Sequence, residues 1–152
     1  GHSGGGFATA AALFDYPDFY DVGISESGNH DTRNYEDDWG ERYIGLMQEV
    51  EGVTNYEGQA NQLKAKNLKG KLLLAHGGMD DNVPPFNTYL VVDALVKANK
   101  DFDLIIFPNA RHGFGADRNY MMRRRWDYFV EHLKGLEPPK EYKIVNKRDA
   151  RL

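Results

Sequence analysis

The sequence predicts an α/β fold in which a parallel sheet is flanked by helices. Short apolar runs at 22–25, 71–75 and 103–107 have the length of strands and are bounded by glycine or proline. Stretches with helical spacing fall between and after them, and alternating strands and helices build parallel sheets. The central run, Leu72-Leu73-Leu74-Ala75, is apolar at every position, as a strand covered on both faces must be.

Taken in order, residues 4–14 are small and apolar (Ala8, Ala10, Ala11, Ala12, Leu13), which suits a helix lying close against a sheet, and Asp15-Tyr16-Pro17 stops it. Val22-Gly23-Ile24-Ser25 reads as a strand, and residues 26–39 as an irregular polar and aromatic stretch. Short helices are expected over 41–47 and 58–67. The strand at 71–75, between Gly70 and Gly77-Gly78, leads into a loop with Asp80 and Asp81. Pro84 and Pro85 open a helix in which Leu90, Val91, Ala94, Leu95 and Ala98 recur on one face. Pro108 ends the strand at 103–107. A loop with His112 then leads to a last helix over about 117–133, expected to bury Tyr120, Met121, Trp126, Phe129 and Val130. Residues 1–136 form one expected unit and 137–152 an extended charged tail. Three strands are few for an open parallel sheet, which leaves edges uncovered. Further strands are therefore expected upstream of Ser3.

Composition narrows the function classes. At 41% hydrophobic and 28% charged residues, the chain is of ordinary globular type. A net charge of −4 gives no reason to expect a nucleic-acid partner, and Arg123-Arg124-Arg125 is too short a basic run to change that. With no cysteine there is no disulfide, thiolate metal site or cysteine nucleophile. No metal or other cofactor is expected, because no H-E-x-x-H or similar spacing joins His76, Asp80, Asp81 and His112. No apolar run reaches the length of a membrane span.

Gly1-His2-Ser3-Gly4-Gly5 fits G-x-S-x-G, the tight strand-to-helix turn that lifts a serine above a sheet. Placed at a helix N-terminus, Ser3 has free backbone N–H groups beside it, and that of Gly4 is the candidate oxyanion donor. Asp80 follows the second predicted strand and His112 the third, so both emerge where open α/β sheets bind ligands. The order Ser, Asp, His is that of α/β-hydrolases, and a partial α/β-hydrolase fold with Ser3, Asp80 and His112 as its catalytic residues is the expectation. His76 is expected to order the Asp80 loop, and His2, His30 and His132 to be surface or local hydrogen-bonding residues.

The segments Gly1-His2-Ser3-Gly4-Gly5-Gly6, His76-Gly77-Gly78-Met79-Asp80-Asp81-Asn82-Val83 and Arg111-His112-Gly113-Phe114 resemble the catalytic signatures of the prolyl oligopeptidase family, in its dipeptidyl peptidase IV branch. Trp39-Gly40-Glu41-Arg42-Tyr43-Ile44-Gly45 adds to the likeness, which runs to about residue 134. The resemblance implies a serine peptidase acting on short peptides after proline or alanine, with Asp80 rather than Asp81 as the acid. It further implies a proline-accepting pocket near Tyr35 and Trp39, bordered by Asn82 and Val83. Core aromatics are the competing reading of Tyr35 and Trp39. An N-terminal β-propeller and upstream strands would complete such an enzyme, and the compartment implied is extracytoplasmic, either periplasmic or secreted. One departure bears on specificity: the family branch usually carries a tyrosine after the nucleophile, where this chain has Gly4. Two rival readings stand beside the peptidase. One is a carboxylesterase or lipase-like hydrolase on the same fold. The other is a non-catalytic unit that pairs an open sheet edge with a second copy as a homodimer.

Overall fold

The computed structural model describes residues 1–145. Helix α1 (Gly4–Asp15) is followed by strand β1 (Val22–Glu26), helix α2 (Asp37–Ile44), the short strands β2 (Glu49–Val50) and β3 (Val53–Thr54), strand β4 (Lys71–Gly77), helix α3 (Phe86–Lys97), strand β5 (Asp103–Phe107) and helix α4 (Arg118–Lys134). β1, β4 and β5 form a parallel sheet in the order β1-β4-β5. Central β4 is flanked on both sides, and Leu72 to Gly77 are buried.

Alternation along β4 divides the core. Leu72 and Leu74 pack with Ala10, Leu13 and Phe14 of α1 and Val91 and Leu95 of α3. Leu73 and Ala75 face the other way, toward Phe107, Phe114 and the α4 residues Met121 and Tyr128. An all-apolar strand is thus a period-two strand with helices on both faces. Small residues let α1 approach closely: a Cβ at Gly6 would lie 2.5 Å from the Glu26 carbonyl oxygen.

The fold class holds, and several elements differ from expectation. The helix expected at 41–47 begins earlier, at Asp37, because Asp37 and Asp38 sit in its first turn, where the backbone dipole favours negative charge. It ends at Gly45, with φ 91°. Residues 58–67 are not one helix but part of three single 3₁₀ turns, 57–59, 61–63 and 65–67. The turns are closed by i to i−3 bonds, while Asn61 is drawn away by tertiary partners: its backbone N donates to His30 O and its side-chain Nδ2 to Phe7 O. The β2–β3 hairpin was unanticipated; its turn, Glu51-Gly52, has φ of 54° and 79°, the geometry of tight hairpin turns. In α4 the sheet-facing side chains are Met121 and Tyr128, while Tyr120 and Trp126 are 45% and 53% exposed, contrary to their expected burial. Of the tail expected at 137–152, residues 137–145 carry no helix or strand. Residues 146–152 lie outside the described residues. No helix among the described residues is long and apolar enough to cross a membrane.

Candidate active site

Ser3 stands between a bridge to the sheet and the start of α1. Its backbone N donates to Glu26 O at 2.8 Å, Glu26 N donates to Gly1 O at 2.9 Å, and His2 pairs in parallel with Glu26. At Ser3 the chain turns through φ 56°, ψ −122°, a region that costs a non-glycine residue about 1–3 kcal/mol and recurs at functional sites. The Gly4 N–H has no hydrogen-bond partner among the described residues, leaving a helix N-terminal donor beside the Ser3 hydroxyl.

Asp80 is 5% exposed and uses both carboxylate oxygens. Oδ1 accepts from the backbone N of Asn82 and of Val83, each at 3.0 Å, which fixes the turn after β4. Oδ2 lies 2.8 Å from Nδ1 of His112, so the imidazole donates from Nδ1 and Nε2 is left as an acceptor. Ser27 Oγ donates to the backbone carbonyl of His112 at 3.3 Å. No hydrogen bond joins Ser3 Oγ to His112 in this structure; such bonds often close only around a substrate. The His2 ring packs 4.6 Å from that of His112. Burial first, then the neighbouring His112, holds the His2 imidazole below the usual histidine range.

Behind Asp80 lies His76, fully buried. Its Nε2 donates to Val83 O at 2.9 Å and sits 3.2 Å from Asp80 Oδ2, while Nδ1 meets Thr88 Oγ1 at 2.7 Å. Burial, the largest of several causes, holds this ring below the usual histidine range. His30 is also buried, between Ser25 Oγ and Asn61 Nδ2, so it bonds locally and is no surface residue. Asp81 pairs instead with Arg111 in the open, and that contact holds its carboxyl below the usual range. Among the described residues no group of three His, Cys, Asp or Glu side chains is disposed to hold a metal ion.

Two clefts meet at Trp39. One, of about 590 Å³, is lined by Ser3, Gly4, Asn29, Thr32, Trp39 and Tyr43 among others. The other, of about 520 Å³, is lined by Tyr35, Trp39, Asp81 and Asn82 among others. Tyr35 and Trp39 are half-buried with their rings edge to face at 6.0 Å, and Tyr35 Oη donates to Asn82 Oδ1 at 2.7 Å. Val83 is fully buried, lines neither cleft and serves the loop through its backbone. The Trp39 ring occupies the space that a side chain at position 4 would need: a Cβ there would fall 2.8 Å from its Cζ2. Sequence reasoning passed over Asn29, Thr32 and Tyr43 as cleft residues. Only Tyr43 had a signal, since it lies in the run that begins with Trp39.

Comparison with known proteins adds a family to this geometry. Residues 1–136 match the sequence model of the prolyl oligopeptidase family. The chain belongs to the prolyl oligopeptidase family. It is 30% identical over 126 residues to dipeptidyl peptidase family member 1 of Caenorhabditis elegans, covering 80% of this chain and 15% of that protein. Prolyl endopeptidase FAP of Mus musculus is 28% identical over 120 residues, 78% of this chain and 16% of the relative. The crystal structure of Porphyromonas gingivalis dipeptidyl peptidase 4 superposes with a TM-score of 0.73 at 31% identity, covering 83% of this chain and 18% of the other. The chain thus spans about a sixth of the length of these prolyl oligopeptidase relatives. The three-stranded sheet and its helices are part of an α/β-hydrolase domain of that family.

Proposed function

We propose that this chain carries the reacting groups of a serine peptidase that cleaves short peptides after proline or alanine by way of an acyl-enzyme. The observation that carries the reading is the 2.8 Å bond between His112 Nδ1 and Asp80 Oδ2, in loops at the carboxyl ends of adjacent parallel strands, beside a strained serine at a helix N-terminus. In this reading His112 Nε2 takes the proton of Ser3 Oγ as that oxygen bonds to the scissile carbonyl carbon. The tetrahedral oxyanion is met by the Gly4 N–H, and the imidazolium is stabilised by Asp80. Collapse passes the proton from His112 to the leaving amine, and water then releases the acyl group by the same steps in reverse order.

Support for peptides over simple esters comes from the relatives, which bear the names dipeptidyl peptidase and prolyl endopeptidase. Trp39 at the cleft supports a flat apolar wall of the kind a proline ring or an alanine methyl would contact. The test is labelling of Ser3 by a fluorophosphonate, read by intact mass in the natural polypeptide that carries this sequence, with Ser3→Ala as control. A stoichiometric adduct that disappears in the control supports the reading, and its absence from folded protein overturns it. Hydrolysis of dipeptide 4-nitroanilides in preference to acyl esters separates the peptidase from a carboxylesterase.

A further inference from the structure

A catalytic imidazole has to be fixed in tilt as well as in place, because its outer nitrogen must meet the serine hydroxyl to within about half an ångström. Two constraints on His112 are hydrogen bonds. Asp80 Oδ2 accepts from Nδ1 at 2.8 Å, and Ser27 Oγ donates to the backbone carbonyl at 3.3 Å. Ser27 is fully buried just past the end of β1, and its backbone is held at φ 46°. With Nδ1 tethered at one point, the ring can still rock about that point, and rocking carries Nε2 toward or away from Ser3. The third constraint is a ring. That of His2 lies 4.6 Å from the imidazole of His112, centre to centre, with the planes 58° apart.

Resting on the peptidase reading above, we infer that His2 is a positioning residue: its ring bears on the imidazole of His112 and limits the rocking that would take Nε2 away from Ser3. The backbone of His2 is itself pinned, since it pairs in parallel with Glu26 and its carbonyl accepts from Gly5 N at 2.8 Å. Its ring meets that of Phe114 edge to face at 6.0 Å, and Phe114 is buried. Two observations favour a packing duty over a polar one. The His2 side chain makes no hydrogen bond among the described residues: Glu26 is 3.9 Å from Nδ1, and both of its carboxylate oxygens accept from Arg125 at 2.8 Å. Burial first, then His112, holds the His2 ring below the usual histidine range, against the opposing pull of Glu26 and Asp80. Uncharged at neutral pH, it adds no repulsion to the positive charge that His112 gains during acyl transfer. The position between glycine and serine in G-x-S-x-G, which the turn itself leaves open to any residue, thus acquires a task.

The experiment compares the natural polypeptide that carries this sequence with its His2→Ala and His2→Phe variants on a dipeptide 4-nitroanilide. Competent sites are counted by fluorophosphonate labelling of Ser3 carried to completion. The side chain is 39% exposed, so its removal takes little from the core, and any misfolded fraction lowers the labelled count rather than the rate per site. Per labelled serine, kcat is expected to fall roughly tenfold to a hundredfold in His2→Ala with KM nearly unchanged. In His2→Phe, whose ring keeps the contact without a titratable nitrogen, it is expected to return to within about threefold of the unaltered protein. An unchanged kcat per site in His2→Ala would overturn the inference. So would equal losses in both variants, which would give His2 a polar duty, or a rise in KM alone, which would make it a substrate contact. In each of these cases labelling of Ser3 in the unaltered protein leaves the peptidase reading standing. Absence of labelling from the unaltered, folded protein would remove both.

Discussion

Asp80 gives one oxygen to its own loop and the other to His112, so substitutions there separate two duties. Asp80→Asn keeps the shape but presents an amide that holds the imidazole in the wrong tautomer, and kcat is expected to fall by about 10⁴; steady-state hydrolysis of a dipeptide anilide measures it. A different residue bears on acid stability. Burial pushes His30 down to about 3, whereas in the unfolded chain it titrates near the ordinary histidine value of 6.5. Between these limits the unfolded state binds a proton that the native state refuses. Stability is therefore expected to fall as pH drops below about 6.5, by on the order of 1 kcal/mol per pH unit from this group. Urea midpoints taken from pH 7 to pH 4 should show this slope, flattened in His30→Gln; an unchanged slope would assign acid sensitivity elsewhere. Ser3, Asp80 and His112 were legible in the sequence as candidates because each sits in a short motif at a strand end. Asn29 was not, since its place in the Ser3 cleft comes from the packing of segments remote in the chain.

At the level of elements, the close contact between α1 and β1 sets where Ser3 stands. Gly6→Ala places a methyl 2.5 Å from a backbone oxygen of β1, which no rotamer change can relieve. A loss of about 1–3 kcal/mol is expected, as for other overpacked sites, with slower fluorophosphonate labelling as α1 lifts away. A denaturation midpoint equal to that of the unaltered protein would refute it. The three sheet strands, α1, α3 and α4 were readable because their apolar spacing is enforced by packing against one another. The stretch from 57 to 67 was not, because its backbone bonds close single 3₁₀ turns and Asn61 N reaches out to His30 O between them, so no continuous helix forms. The small hairpin at 49–54 buries almost nothing, so no apolar pattern announces it. Tyr120 and Trp126 misled for the opposite reason: large rings on α4 need not face the sheet when Met121 and Tyr128 already fill that side.

Across the whole molecule, β1 and α4 are tied by one ion pair between residues far apart in sequence. Arg125 reaches Glu26 with Nε and one terminal nitrogen, each at 2.8 Å, and the carboxylate is almost wholly buried. Arg125→Ala strands that charge and is expected to cost about 2–4 kcal/mol, because removing one partner of a buried pair is worse than removing both. Chemical denaturation of Arg125→Ala, Glu26→Gln and the double variant checks this: the double variant should be more stable than Arg125→Ala, and strict additivity would refute the coupling. A second connection runs the other way, from the mouth of the clefts inward. Tyr35 holds Asn82, Asn82 holds one oxygen of Asp80, and the other oxygen holds His112. Tyr35 and the His112 imidazole thus stand at the two ends of one line of three hydrogen bonds, so that the doorway of the clefts and the ring between the loops share a single strut.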